Sequence, residues 1–339
     1  MPEALNGSLL ASLPLLEGVD AGRLEEAAAH MWLRRAAPGE VLALEGEAGE
    51  TFGLVLEGRV EVSRRSSRRT TRLAEAGAGS LLGELAVLRR QPRTATLTAI
   101  TPVLIAVGGA QALGLLLDAP EVHNRVRLMA SARLARDLRP IRYTLPSGME
   151  ILVRPLLAED RQTFDQELHR LSKDSLRRRF FSSAPPSESV VDYLVHIDYV
   201  DHFAWVVLDA GDPSQGLAVA RFVRLAEPGS AEVAFGTADR VQGRGIGTFL
   251  LGAIGVAASE GGVSTLVAHV LEDNRAMRRV FAKAEGTSHY DEPGVFRVEI
   301  EAIRAAALLP GAVRGELASA VRDVVTAASL ALATQGAGS

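Results

Sequence analysis

The chain has 339 residues, enough for two domains and a connection between them, and 47% of them are apolar, enough to fill two cores; with aromatics at only 5%, those cores must be built from Leu, Val and Ala. A formal charge of −4 argues against a general nucleic-acid binder, and the lack of cysteine excludes disulfides, a thiolate nucleophile and cysteine metal sites. The start, Met1-Pro2-Glu3-Ala4-Leu5-Asn6, lacks the basic-then-apolar pattern of a signal peptide, and no apolar run reaches roughly 18 residues, so the expectation is a cytoplasmic protein without a membrane span.

Leu9 to Ala29 reads as helical pieces broken by Pro14 and Gly18. From Met31 to about Val107 the texture changes to short β runs between glycine turns, among them Glu40 to Leu44, Phe52 to Leu56 and Arg59 to Val62. Many short strands at such spacing predict an all-β barrel or jelly roll. The run Arg64-Arg65-Ser66-Ser67-Arg68-Arg69 reads as a solvated hairpin loop. Within the β region lies Leu82-Gly83-Glu84-Leu85-Ala86-Val87-Leu88-Arg89-Arg90-Gln91-Pro92-Arg93-Thr94-Ala95-Thr96. Gly83 begins a short helical turn whose free amides suit an anion. Arg93, just past Pro92, can give a charge-assisted pair of hydrogen bonds to a phosphate, and Glu84 can accept bonds from sugar hydroxyls. On local chemistry alone, a surface turn with a solvated Glu and Arg is the other reading.

Gly-Glu-Leu-Ala followed at this spacing by Pro-Arg-x-Ala-Thr resembles the phosphate-binding cassette of cyclic-nucleotide-binding domains, and the turns Gly46-Glu47-Ala48-Gly49 and Glu57-Gly58-Arg59-Val60 are similar to that family's turns. The resemblance spans roughly residues 10 to 135. It implies that Glu84 holds a ribose 2′-hydroxyl, that Arg93 holds the cyclic phosphate, and that amides of Gly83, Glu84, Leu85, Ala86 and Thr94 complete the cradle. Thr94 stands where the commonest cAMP pattern has Ala, which leaves cGMP open; cAMP is the favoured ligand.

Glu121 to Arg139 shows a stripe of Val126, Ala130, Leu134 and Leu138 that predicts an amphipathic helix, closed by Pro140. A transcription factor of the cyclic-nucleotide family would carry a helix-turn-helix next; this chain goes to a strand, Met149 to Arg154, which argues against a DNA-binding regulator. A helix over Ala158 to Leu171 follows, then Ser172 to Phe181 and a Ser/Pro-rich loop to Glu188. Strands are expected near Ala204–Leu208, Leu217–Val223, Ala231–Phe235, Ser264–Val270 and Val295–Ile300, with helices after Gly247 and over Asn274–Ala284. This order predicts a mixed α/β sheet.

Between the third of those strands and its helix lies Val241-Gln242-Gly243-Arg244-Gly245-Ile246-Gly247-Thr248. Glycines at alternate positions let backbone approach a ligand, and amides at a helix start suit phosphate oxygens; a tight turn alone is the plainer alternative. Gln242, Gly245 and Gly247 match the acyl-CoA pyrophosphate loop of the GNAT N-acetyltransferases, and the later Glu272-Asp273-Asn274-Arg275 and Phe281-Ala282-Lys283-Ala284-Glu285-Gly286 resemble that family's closing segment. The Leu171-Ser172…Arg179-Phe180-Phe181 segment is similar to the bacterial protein acetyltransferase branch.

The resemblance implies acetyl-CoA as donor, held by backbone of Val233, Ala234 and Phe235, by amides from Gln242 through Gly243, Arg244, Gly245, Ile246 and Gly247 to Thr248, and by Asn274 and Arg278. Strand alternation sets Glu232 and Ala234 on one face and Val233 and Phe235 on the other. An amine must lose a proton before attacking a thioester, and Glu232, expected to be half-buried, is the candidate base; its position matches the family's base. Phe281 stands where many members place a proton-donating Tyr. The histidines show no metal spacing, so no metal is expected. His169 is an autoinhibitory candidate, on a segment that borders the acceptor site; an exposed helix His is the plainer reading. The tail, Glu301 to Ser339, holds an Ala/Val/Leu-rich helix near Ala312 to Leu332.

Together these readings predict a regulatory jelly-roll domain with flanking helices over 1–140, a GNAT mixed-sheet domain over 141–300 and a helical tail over 301–339. The expected function resembles that of mycobacterial enzymes that fuse these two domains: cAMP-regulated acetylation of a lysine Nε on a cytoplasmic protein, such as an acyl-CoA synthetase or universal stress protein, with no nucleic-acid or membrane partner. The alternatives are a small-amine N-acetyltransferase under the same control and a non-catalytic cAMP/CoA sensor.

Overall fold

Asn6 and Asp20 place side-chain oxygens on the first free amides of two short helices, α1 (Gly7–Ala11) and α2 (Ala21–Ala28), with a single 3₁₀ turn over Pro14–Leu16 between them. In the computed structural model, which describes residues 5–65 and 70–330, eight strands follow. They are β1 (Met31–Ala36), β2 (Val41–Ala43), β3 (Thr51–Glu57), β4 (Val60–Arg65), β5 (Thr70–Ala76), β6 (Leu81–Leu82), β7 (Thr96–Ala99) and β8 (Val103–Gly109). Two four-stranded sheets, ordered β1-β8-β3-β6 and β2-β7-β4-β5, form a β-sandwich where the sequence predicts an all-β barrel or jelly roll, with helix α3 (Glu84–Arg89) between β6 and β7. Phe52, Leu54 and Leu81 pack toward α2 and helix α4 (Ala110–Leu117), while Val55, Val60 and Ile105 fill the space between the sheets. Of the basic run from Arg64 to Arg69, residues 66–69 lie outside the described residues, as do 1–4 and the helix positions expected at 331–332.

Val126, Ala130 and Leu134 of the expected stripe lie in α5 (Pro120–Asp137), and Leu138 comes just past its end. The described residues divide into two units, one holding those up to Ala130 and Ala327 to Leu330, the other Ser131–Thr326.

The second unit is built on one eight-stranded sheet: β9 (Ile141–Thr144), β10 (Glu150–Pro155), β11 (His202–Asp209), β12 (Gly216–Arg224), β13 (Ser230–Thr237), β14 (Thr265–Leu271), β15 (Thr287–Glu292) and β16 (Val295–Glu301), ordered β15-β16-β14-β13-β12-β11-β10-β9. All pairs are antiparallel except β13–β14. That parallel ladder has only Ser230↔Thr265, Ala231↔Leu266 and Glu232↔Val267. Beyond it β13 stays paired to β12 as far as Thr237 and β14 to β16 as far as Leu271. The two strands therefore part company after Glu232.

Helices α6 (Arg161–His169), α7 (Lys173–Phe180) and α8 (Glu188–Val195) connect β10 to β11; α9 (Ile246–Glu260) joins β13 to β14 and α10 (Arg275–Ala282) joins β14 to β15. Strands β9 and β15 and helix α8 are additions to the expected elements. β15 is exposed along its whole length, so it carries no alternation to read. Residues Ile246 and Phe249 to Ala258 of α9 are all buried, as expected of a helix covered on every side. The tail helix is not an appendage: α11 (Ala302–Ala306) and α12 (Gly311–Leu330) contribute Ala305, Val313, Leu317 and Val321 to the same core.

Gly255 decides the α9–α11 contact, because a Cβ there would lie 2.6 Å from the Ala306 backbone nitrogen and 2.8 Å from the Ala302 oxygen. Alanine normally favours a helix over glycine by ~1 kcal/mol. Here backbone sits in the way, so Gly255→Ala should cost about 1–3 kcal/mol. A fall of several degrees in thermal midpoint is the expected result; an unchanged or higher midpoint would contradict this packing.

Candidate functional site

In the first unit, Gly83 holds a left-handed conformation (φ 76°) and turns the chain into α3. Glu84, in the first turn, is 1% exposed. Arg93 lies against this turn: its Nη1 donates to the Gly83 oxygen at 3.2 Å and its Nη2 to Thr51 Oγ1 at 2.9 Å. A Cβ on Gly83 would fall 2.0 Å from Arg93 Nη1, so only glycine allows the approach. The Arg93 backbone is tied to the Gly46 turn in both directions, accepting from Gly46 N at 2.9 Å and donating to the Glu47 oxygen at 2.8 Å. Burial lowers the Arg93 pKa, and the Glu47 and Glu84 carboxylates work against that shift. Thus Gly83, Glu84, Arg93 and the Gly46 turn, separated in sequence, meet at one place.

In the second unit, the parting of β13 and β14 opens a cleft of about 620 Å³, within the range of small-molecule sites. It is lined by Glu232, Val233, Ala234 and Phe235 on β13, by Gln242, Gly243, Gly245, Ile246, Gly247 and Thr248 at the start of α9, by His269 on β14, and by Asn274. The β13 edge from Val233 to Thr237 has no strand on its β14 side, so its backbone groups are available to an extended ligand.

The glycine loop is held open from behind. Gly243 and Gly245 have φ 76° and 94°, and a Cβ on either would meet nothing within 4 Å. The first helical bond of α9 runs from Phe249 N to the Gly245 oxygen at 3.1 Å, so the preceding amides of the loop face no helical carbonyl. The Gln242 amide differs from expectation: it donates to the Asp239 oxygen at 3.3 Å, so the anion-facing donors begin at Gly243. Its side chain also turns back, with Nε2 donating to Asp239 Oδ1 at 2.9 Å. Asp239 further accepts from Ser172 N at 2.7 Å and from the Ser175 hydroxyl. Burial opposes ionisation of Asp239, but the hydrogen bonds from Ser175 and Ser172 outweigh it and leave its pKa lowered.

Two expected contacts lie elsewhere. Arg278 stacks over the Phe296 ring at 4.3 Å and Arg244 is not among the cleft-lining residues; Arg279 and Lys283, one helical turn apart, face the cleft instead. Lys283 Nζ reaches Thr248 Oγ1 at 3.1 Å. Asn274 caps α10 by accepting from Met277 N at 3.2 Å.

The Glu232 side chain is 49% exposed. His269, which the sequence alone leaves among unremarkable histidines, bridges two carboxylates, with Nδ1 3.5 Å from Glu232 Oε1 and Nε2 3.3 Å from Asp291 Oδ2. The signal was the β13–β14 register: Glu232 faces Val267, and His269 is the next residue on that face. Phe281 is 2% exposed and packs edge-on against Phe235 at 5.8 Å, so no proton donor stands there. His169 is 61% exposed at the end of α6, with Nδ1 2.9 Å from the Asp165 oxygen, and does not line the cleft. Among the described residues no group of side chains could hold a metal ion, and no helix is long and apolar enough to cross a membrane.

The cyclic nucleotide-binding domain family matches residues 33–119, and the acetyltransferase (GNAT) domain family matches residues 150–287. Acetyltransferase Pat of Mycolicibacterium smegmatis is 36% identical over 86% of this chain and 88% of its own length. Acetyltransferase PA5475 of Pseudomonas aeruginosa is 31% identical over 40% of this chain and 74% of its own. Among solved structures, a cAMP-binding acyltransferase from Mycobacterium smegmatis is 32% identical, covering 96% of this chain and 98% of that one with a TM-score of 0.48.

Asp239 ties three separate donors together behind the loop, so Asp239→Ala should lower stability at pH 7 by about 1–3 kcal/mol. Because the folded pKa is depressed, this contribution is complete above the free-carboxylate value near ~4 and is lost as pH falls through the lower folded value. Denaturant titrations of parent and variant should therefore converge in acid; a gap that stays constant down the pH series would contradict the assignment.

Proposed function

The chain belongs to the family of GNAT-type acetyltransferases that carry a cyclic nucleotide-binding domain, and on that premise we propose that it is a cAMP-regulated protein lysine N-acetyltransferase of the cytoplasm. The observation that carries the reading is the placement of Glu232 at the point where β13 and β14 separate, beside an unpaired strand edge and a glycine loop.

Acetyl-CoA fits this cleft by its chemistry. The pyrophosphate suits the amides of Gly243 and of Gly245 to Thr248, backed by the cationic side chains of Arg279 and Lys283. The pantetheine amides suit the free edge at Val233 to Phe235, which an added strand would otherwise fill. Asn274 fixes the start of α10 at the same wall.

An acceptor lysine arrives as an ammonium with pKa ~10.4. Glu232 takes one proton from it, and His269 with Asp291 gives that proton an exit to water at the cleft mouth. The neutral amine then attacks the thioester carbonyl, the C–N bond forms and the C–S bond breaks. With Phe281 buried, the sulfur leaves as thiolate, whose ordinary pKa near ~8.5 makes this tolerable. No cysteine is present to carry the acetyl group, which favours direct transfer.

In the first unit, Arg93 and the α3 turn would take the cyclic phosphate, and Glu84 the ribose. The Arg93 guanidinium already has its fork fixed by Gly83 and Thr51, which limits the entropy lost on binding. The nucleotide would then shift acetyl transfer by a coupling of about 1–3 kcal/mol.

Glu232→Gln should lower kcat by about 10²–10⁴ while acetyl-CoA binding stays within a few-fold. Undiminished transfer in single-turnover assays would remove Glu232 from the mechanism. Arg93→Gln should weaken cAMP binding by about 1.5–3 kcal/mol, roughly 10–150-fold, and the nucleotide-dependent change in rate should move to correspondingly higher cAMP. Calorimetry showing unaltered cAMP affinity would contradict the assignment of Arg93.

A further inference from the structure

The cleft adjoins a second, narrower cavity of about 70 Å³. The two share Leu171, Arg179, Phe180, Gly236 and Thr237. Phe164, Leu168, Val206, Leu208 and Val219 give the smaller cavity an apolar wall. One group there is out of place. Arg221, on β12, lines this cavity and is only 3% exposed. Its Nη1 donates to the Leu194 oxygen at 2.6 Å and to His202 Nε2 at 3.0 Å. Its Nε and Nη2 are buried and find no hydrogen-bond partner among the described residues.

The carboxylates nearby are already committed. Asp160 is paired with Arg154 at 2.6 Å, and Glu167 with Arg170 and Arg240 at 2.7 and 2.6 Å. The charge facing Arg221 is instead a second guanidinium, Arg179. Burial lowers the pKa of both; the Arg179 charge adds to the cost at Arg221, which Tyr193 partly offsets, while Glu232 favours the charge on Arg179. A buried cation without an anion is a costly arrangement unless a ligand supplies the counter-charge.

Register places Arg221 close to the chemistry. Arg221 is opposite Ala234, and Glu232 is two residues along the same face of β13. Diagonal neighbours of this kind have Cα atoms roughly 7–8 Å apart.

We propose that Arg221 and Arg179 bind the terminal carboxylate of a dicarboxylic acyl group, such as malonyl or succinyl, carried on the CoA donor. The inference rests on the reading of the cleft as an acyl-CoA site. The acyl chain passes from the thioester between Phe180 and Gly236 into the apolar cavity and ends on the free Nε and Nη2 of Arg221. An acceptor lysine does not compete for this place, because two guanidinium groups repel its ammonium. The transfer is otherwise the same: the amine nitrogen bonds to the acyl carbonyl, the C–S bond breaks with its electron pair on sulfur, the amine proton goes to Glu232, and the distal carboxylate is unchanged.

The test compares acetyl-, butyryl- and succinyl-CoA with the full-length protein, by calorimetry for affinity and by transfer to a lysine peptide for rate. Butyryl has a similar carbon chain without the carboxylate. The wild-type protein should favour succinyl- over butyryl-CoA at least tenfold, in Kd and in kcat/KM; Arg221→Met should erase that preference and Arg221→Lys should restore part of it. Equal affinity for the two donors in the wild-type protein overturns the proposal without recourse to any variant. So does a preference that survives Arg221→Met, or an Arg221 effect seen only with peptides carrying acidic residues beside the lysine, which would assign the carboxylate to the acceptor. Binding of acetyl-CoA reads the underlying donor site separately: its failure would remove that reading along with this one, whereas normal acetyl-CoA binding without a succinyl preference removes this one alone.

Discussion

The short parallel ladder between β13 and β14 is the constraint from which the second unit's site follows. Three residue pairs join the strands, and then each is claimed by its outer neighbour, β13 by β12 and β14 by β16. The opening is therefore fixed by the sheet and needs no ligand to hold it. A preformed gap of this kind avoids the ordering cost that a flexible site would incur on binding. It also leaves strand-edge hydrogen-bonding groups unclaimed at Val233 to Thr237, where a linear ligand can use them. Glu232 is the last residue of β13 paired to β14, so it sits at the fork of the two strands and next to the entrance.

The glycine loop is meaningful only in that setting. Gly243 and Gly245 supply positive φ angles, and Asp239 anchors the turn before them to the start of α7 through Ser172 and Ser175. The loop thus connects the floor of the cleft with the segment that carries Arg179 and Phe180. In the first unit a similar economy holds: Gly83, Gly46 and Arg93 interlock by backbone and guanidinium hydrogen bonds, so the polar groups suited to a cyclic phosphate are oriented by the fold itself.

Much of this was legible in the sequence, for identifiable reasons. The glycine-rich loop, the Asn274 cap and the Gly83–Arg93 cassette are local motifs, and local motifs need no knowledge of pairing. Short β runs with glycine turns were enough to give the sandwich, and alternation was enough to set Glu232 apart from Val233. What sequence could not supply depends on register. His269 becomes a neighbour of Glu232 only through the parallel pairing, and Arg221 joins that face only through its place opposite Ala234. Arg278 and Arg279 differ by one position on a helix, hence by the face presented, and a motif alone does not fix that phase. Strand β15 is polar and exposed at every position, so hydrophobic periodicity has nothing to report there. The buried positions of α12 became clear only once the rest of the core was in place.

The most direct test of the central claim is transfer of labelled acetyl from acetyl-CoA to lysines of soluble cell proteins, measured with and without cAMP. Label on lysine Nε that changes with cAMP is the result this account predicts. Absence of protein label at every nucleotide concentration, in a preparation that binds cAMP and acetyl-CoA tightly, would contradict it.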